Sequence, residues 1–89
     1  MPGSQDSPLD LVKLSELPVG KSAVVDSLKI EGTMRRRLMD IGLVPGTRVK
    51  TLRVSPTGDP RAYRIRGAVI ALRSDEGEKV LVASKARDY

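Results

Sequence analysis

Arginine and lysine are the residues of this chain best suited to chemistry, and the chemistry that they suit is the binding of anions. The chain has 89 residues, with sixteen lysines and arginines against eleven aspartates and glutamates, and a net charge of +5 at pH 7. Seven of the basic residues lie within 46–73, where Asp59 is the only acidic residue. This segment predicts a positive surface that suits an acidic protein, a nucleic acid or a membrane, although a solvated strand exterior would have the same composition.

Two residue types on which many enzymes depend are missing from the chain. There is no histidine, the usual general base, and no cysteine, so disulfides, thiolate metal sites and cysteine nucleophiles are excluded. The segment Gly20-Lys21-Ser22 is similar to the end of a phosphate-binding loop but lacks the upstream glycine of that motif. We therefore predict that the protein is not an enzyme.

Carboxylates are the remaining candidates for metal binding. Asp75, Glu76 and Glu78 cluster in one acidic segment, and their oxygen atoms suit a hard divalent cation. They lack the alternating ligand spacing of an EF-hand loop, and a solvated turn would have the same composition. We predict no cofactor and, at most, a weak surface site for a divalent metal at these three residues.

The hydrophobic pattern predicts mostly β-strands joined by tight turns. Leu11, Leu14 and Leu17 recur every third residue, which favours one short helical turn near the N-terminus. A turn or short helical turn is expected at 74–78, and Gly67 indicates a bulge or a sharp bend. The predicted strands are 21–28, 47–54, 63–66, 68–72 and 80–82.

One α-helix is predicted at 33–41, after the first long strand. Met34, Leu38 and Ile41 are spaced to form a single apolar stripe along it, and Thr33 is the expected N-cap. With this stripe turned toward the core, the other side of the helix is basic and faces solvent.

The end of this helix is predicted in detail. Gly42 follows the helix at the position where a left-handed residue ends it, so Leu43 can fold back onto Leu38 in a Schellman motif. Pro45 and Gly46 then form a turn that prevents the helix from continuing.

The basic side of the helix and the turn after it are the strongest candidates for contact with a partner, because arginine and methionine are enriched in interface cores. A capped helix with a solvated basic face would have the same sequence. The predicted partner-binding residues are Arg35, Arg36, Met39, Leu43, Val44 and Pro45. The residues assigned to the structure of the motif are Arg37, Leu38, Gly42, Gly46 and Gly67.

Short strands, one helix and tight turns together predict a mainly all-β fold, a small closed or nearly closed β-barrel with one inserted α-helix. We expect a flexible N-terminal tail at 1–10, one domain at 11–84 and a C-terminal tail at 85–89. No apolar run approaches the ~20 residues that a membrane-spanning helix needs, so no membrane insertion is expected. Residues 1–8 contain no apolar signal-peptide segment, and we expect a cytoplasmic protein.

Several segments, in order along the chain, resemble the motifs of one known family. The sequence RRLMDIGLVPG at 36–46 is similar to the signature of the FeoA family of ferrous iron transport proteins. Residues 14–20 resemble the opening of that family, 65–73 its later strand motif, and 80–82 its last strand. The resemblance covers about residues 11–83.

The resemblance implies an SH3-like β-barrel with a helix inserted after the first long strand. It also implies a small cytoplasmic accessory protein that binds the FeoB membrane transporter of ferrous iron through the transporter's cytoplasmic G-protein part. Metal-dependent repressors of the DtxR type carry a related domain, but this chain lacks their helix-turn-helix part. Because the chain has no histidine or cysteine, the resemblance leaves open whether this chain binds iron tightly.

Alternative functions stay open at this point. A basic small barrel can bind RNA or DNA, but such proteins use aromatic stacking platforms, and the candidate here, Tyr63, is predicted to face inward. One of the three arginines at 35–37 could act as an arginine finger on a GTPase, although no rigid loop presents it. We rank nucleic acid below the transporter as a partner and leave open whether the chain forms a homodimer.

Overall fold

The structure is a computed structural model that describes residues 10–84. Within this range six strands form one antiparallel sheet, which confirms the predicted mainly all-β fold with an inserted helix. The helices are α1 (Thr33–Asp40), after the second strand, and the one-turn α2 (Ser74–Gly77), after the fifth. The strands are β1 (Asp10–Lys13), β2 (Ser22–Leu28), β3 (Arg48–Val54), β4 (Arg61–Ile65), β5 (Ala68–Leu72) and β6 (Val80–Ser84).

The order of strands in the sheet is β1-β6-β2-β3-β4-β5, so the two ends of the described chain pair with each other. No ladder joins β1 to β5 within the described residues, but side chains of β4 bind the segment that follows β1. The hydroxyl of Tyr63 donates to the carbonyl oxygen of Leu14 at 3.3 Å, and Nη1 of Arg61 donates to that of Leu17 at 2.9 Å. The curled sheet is therefore nearly closed rather than closed by strand pairing.

The core is aliphatic, as the composition requires, and it is built from alternate residues of each strand. Tyr63 is the aromatic residue among them and is 1% exposed. Leu38 of α1 is buried in the same core. The other buried hydrophobic residues are Leu14, Leu17, Ala23, Val25, Leu28, Leu43, Val49, Ile65, Leu72, Val80 and Val82.

Gly67 does not form the predicted bulge but takes the alternative, a sharp bend. Ile65 pairs with Ala68, which leaves Arg66 and Gly67 as a two-residue hairpin turn, with φ of 53° and 83°. Positive φ at both positions is the type I′ geometry, which matches the twist of the flanking strands. The bulges of the sheet lie elsewhere, between Val25 and Ser27 in β2 and between Thr51 and Arg53 in β3.

The N-terminal segment combines a strand with the predicted helical turn. Leu14–Glu16 form one turn of 3₁₀ helix, and Leu14 and Leu17 are buried as expected. Leu11 instead lies in β1 and is 44% exposed, because pairing with β6 takes precedence over the three-residue spacing. Asp10, placed in the tail by the sequence analysis, is the first residue of β1, and the rest of both predicted tails lies outside the described residues.

Candidate docking surface

Helix α1 places three consecutive arginines on the surface and one leucine in the core. Leu38 is fully buried, whereas Arg35 and Arg36 are exposed. The N-cap residue is Gly32 rather than the predicted Thr33, which is already the first helical residue. Gly32 has φ of 79°, a conformation open to glycine without steric cost, so the chain turns into the helix there.

Met39 is less exposed than the sequence analysis predicts. It is half-buried and packs against the core, because a helix of two turns lying across a barrel buries the flanks of its apolar stripe as well as the centre. Met39 still lines a shallow depression of about 380 Å³ on the outside of the helix, together with Arg35 and Arg36. The structure thus brings these three predicted partner-binding residues together around one concave surface.

The exit from α1 is the Schellman motif that the sequence predicts. The amide of Leu43 donates to the carbonyl oxygen of Leu38 at 3.0 Å, and that of Gly42 donates to the carbonyl oxygen of Met39 at 3.0 Å. Leu43 is consequently folded into the core and is fully buried. The prediction that Leu43 contacts a partner is wrong, because the same motif that ends the helix removes this side chain from the surface.

The turn after the helix keeps two of its predicted contact residues accessible. Pro45 is exposed and Val44 is half-buried. The amide of Gly46, which has φ of 96°, donates to the carbonyl oxygen of Val25 at 2.9 Å and fixes the turn to β2. Val44 and Pro45 are therefore presented beside the helix on a rigid turn.

The acidic segment of α2 has a structural contact that the sequence analysis missed. Glu76, expected in a solvated turn, is 5% exposed. Its Oε1 accepts the backbone amide of Arg73 at 3.0 Å, and its Oε2 forms an ion pair with Nη1 of Arg37. Arg37 thereby connects α1 to α2, and no local pattern could have shown a pair 39 residues apart in the chain.

The three metal candidates do not converge on a common point. Asp75 and Glu78 are exposed, whereas the carboxylate of Glu76 is turned inward to the guanidinium of Arg37. Among the side chains of residues 11–83, no three acidic groups come together in a way that could hold a metal ion.

The basic surface predicted from composition lies on β3, β4 and the turn after β4. Lys50 of β3 stands directly opposite Arg64 of β4, and both side chains are exposed. The sequence located these charges within 46–73, but their pairing depends on the register between two strands. Strand alternation would have identified each residue as outward-facing, but not its neighbour across the sheet.

A sequence model of the FeoA domain matches residues 12–84 of the chain. The chain belongs to the FeoA family. A solution structure of FeoA from Chlorobium tepidum is 44% identical, with a TM-score of 0.80 over 88% of this chain and 74% of that one. FeoA of Stenotrophomonas maltophilia, solved with zinc and described as a prokaryotic SH3 domain protein, is 35% identical, with a TM-score of 0.72 over 80% of this chain and 88% of that one. These likenesses confirm the predicted family and the SH3-like fold.

In two further comparisons, this FeoA-family chain matches part of a larger protein. A protein of Porphyromonas gingivalis, named an Fe(2+) transport protein A/Fe(2+) transporter FeoB fusion protein, is 32% identical over 78 residues. The match covers 84% of this chain but only 9% of that relative. A manganese-dependent transcriptional repressor shares the fold, with a TM-score of 0.77 at 19% identity over 85% of this chain and 42% of that one. In the part of the chain that the structure describes, no helix has the length and apolar character to cross a membrane.

Proposed function

We propose that this chain is a non-enzymatic accessory protein of ferrous iron uptake that binds the cytoplasmic G-protein part of a FeoB-type transporter and promotes its activity. The observation that carries the proposal is the fusion relative, in which a FeoA part and a FeoB part share one polypeptide. Fusion holds two modules at a high effective concentration, so a separate chain with the same task needs a surface that binds its partner. The proposed location is the cytoplasm, where such a transporter part is accessible.

The docking surface that we propose is the outer side of α1 with the turn that follows it. Arg35, Arg36 and Met39 line one depression together with Gly32 and Asp40, and Val44 and Pro45 lie on the turn fixed to β2. Exposed arginines orient an acidic partner as it approaches, and a half-buried methionine beside them offers adaptable apolar contact. An acidic face with a small apolar centre on the transporter would complement this surface.

Titration of the isolated cytoplasmic domain of the FeoB transporter from the same organism with the purified chain tests the proposal. We expect heat of binding with a Kd of about 10 μM or tighter, and no binding at several times that concentration would contradict the proposed function.

The charge reversal Arg36→Glu should weaken this binding about tenfold, since it places a carboxylate against an acidic face, and should change stability little at an exposed site. Lys13→Glu is the matched control, because it changes the net charge equally and Lys13 is also exposed but lies on β1 rather than on α1. Equal weakening by both variants would show that net charge, not the surface of α1, governs binding. Calorimetric titration of each variant, with urea unfolding alongside, makes the comparison.

A further inference from the structure

A groove of about 300 Å³ lies on the outer face of the sheet, and one of its lining residues, Arg66, packs against the exit of α1. Strands β2, β3 and β4 and the β4–β5 turn line it. Four cationic side chains surround the groove, and all four are exposed: Arg48, Lys50, Arg64 and Arg66. Among the side chains of residues 11–83, no carboxylate forms an ion pair with any of them, since the ion pair found there joins Arg37 to Glu76.

The arrangement of these charges opposes folding. Lys50 and Arg64 are direct cross-strand partners, which places their Cβ atoms about 5 Å apart. Like charges at directly opposite positions destabilise a sheet, and a carboxylate at either position would remove the repulsion. An external anion bound between these two side chains would supply the missing compensation.

Arg66 provides a second, independent observation. It occupies the first position of a type I′ turn with φ of 53°, where asparagine, aspartate or glycine is strongly preferred. A Cβ added at Gly42 would lie 2.7 Å from Cδ of Arg66, so the stem of this arginine crosses the exit of α1 closely. Arg66 thus places a charged side chain at the groove although its backbone conformation does not favour arginine.

We infer that this groove binds an acidic segment of a protein partner; that the partner is the transporter rests on the proposed function. Arginine forks match carboxylates in paired hydrogen bonds, and several guanidinium groups around one groove suit clustered aspartates or glutamates. A single-stranded nucleic acid is the less suitable anion, because it needs an aromatic surface on which bases stack. The chain has no phenylalanine or tryptophan, and Tyr63, the tyrosine among the described residues, is 1% exposed.

The variant Lys50→Glu separates binding from folding. It places a carboxylate opposite Arg64, so the urea midpoint of unfolding should rise or stay unchanged, while affinity for an oligo-glutamate peptide should fall about tenfold or more. The matched control is Lys79→Glu, which changes the net charge equally. Lys79 is exposed beside Lys29, at the end of β2 opposite to Ser22, about 20 Å along the strand from the groove. Arg66→Asn should act in the same direction as Lys50→Glu, since asparagine accepts positive φ but removes the charge.

Fluorescence anisotropy of a labelled oligo-glutamate peptide, measured against salt concentration, decides the inference. Binding by the wild-type chain that Lys79→Glu retains and that Lys50→Glu and Arg66→Asn lose supports it. Absence of peptide binding at low salt, or equal loss in all three variants, overturns it. Tighter binding of a single-stranded oligonucleotide of equal charge, lost with Lys50→Glu, would overturn it in favour of a nucleic-acid site. Peptide binding at the groove without any binding of the transporter domain would leave the groove assignment standing and refute the proposed function.

Discussion

At the scale of single residues, Tyr63 shows how burial sets the chemistry of a side chain. Its ring lies in the core, and its hydroxyl donates to the carbonyl oxygen of Leu14. Burial raises the pKa of the Tyr63 phenol above its ordinary value of about 10, because the phenolate loses hydration there, and the nearby cation of Arg61 opposes this shift only in part. The folded state therefore favours the neutral phenol. This preference adds no pH dependence to the unfolding free energy below pH 10. At higher pH the unfolded state releases the phenolic proton more readily, so the protein loses stability.

We expect Tyr63→Phe to cost about 1 kcal/mol of unfolding free energy at neutral pH, the contribution of one hydrogen bond. As the pH rises above about 10, the wild type should lose stability through this group while the variant does not, so the difference between them should shrink. Urea unfolding followed by circular dichroism from pH 7 to above pH 10 measures this difference, and the titration of exposed lysines cancels between the two proteins.

The spectroscopic control uses the second tyrosine of the chain. In a Tyr89→Phe background Tyr63 is the only tyrosine, so tyrosinate absorbance reports on it alone. Tyrosinate that appears at or below the ordinary pKa of a free phenol would contradict the burial of Tyr63.

At the scale of structural elements, the residue that ends α1 has a left-handed backbone conformation and is also closely packed. Gly42 has φ of 110°, and the stem of Arg66 and the side chain of Ile65 pack over it. Gly46, four residues on, has a similar φ of 96° but nothing within 4 Å of the position of its missing Cβ. Alanine substitutions at the two glycines therefore distinguish the cost of backbone strain from the cost of a steric clash.

Gly42→Ala should destabilise the fold by about 1–3 kcal/mol, and Gly46→Ala by less. The alanine Cβ at position 42 would stand 2.7 Å from Cδ of Arg66, a side chain that can move, and 3.0 Å from Cγ2 of buried Ile65, which cannot move easily. Chemical unfolding of both variants measures the two effects, and equal losses would show that strain alone accounts for the glycine at 42.

At the scale of the whole molecule, side chains connect parts that the sheet leaves apart. Tyr63 and Arg61 join β4 to the N-terminal 3₁₀ turn, and the Arg37–Glu76 ion pair joins α1 to α2. Glu76 is the buried partner of that pair, so its carboxylate depends on Arg37 and on the amide of Arg73 for the interactions that water would otherwise supply.

Glu76→Gln should lower the unfolding free energy by about 1–2 kcal/mol, because a buried charge-assisted hydrogen bond becomes a neutral one. Glu78→Gln is the control, since Glu78 carries the same charge two residues away but is exposed, and a change within about 0.5 kcal/mol is expected there. Urea unfolding at pH 7 makes the comparison, and an unchanged midpoint for Glu76→Gln would mean that the pair contributes nothing to the connection between the helices.

Short-range signals predicted most of the framework. The apolar stripe of Met34, Leu38 and Ile41 and the glycine at 42 were enough to place α1 and its Schellman exit, because each acts through contacts within about one helical turn. Alternating side chains predicted most of the strands, and the motif at 36–46 predicted the family that the matches to related proteins then confirmed. These signals are local, so the sequence alone is enough to identify them.

Contacts between distant residues were decided by folding alone. The inward turn of Glu76 toward Arg37 and the opposition of Lys50 to Arg64 were not predicted. Each depends on strand register, or on how α1 and α2 pack against the curled sheet, and a shift of one residue in register would turn every side chain of a strand to the other face. Side-chain identity settles what each residue can bind, whereas only the assembled sheet settles which residues meet.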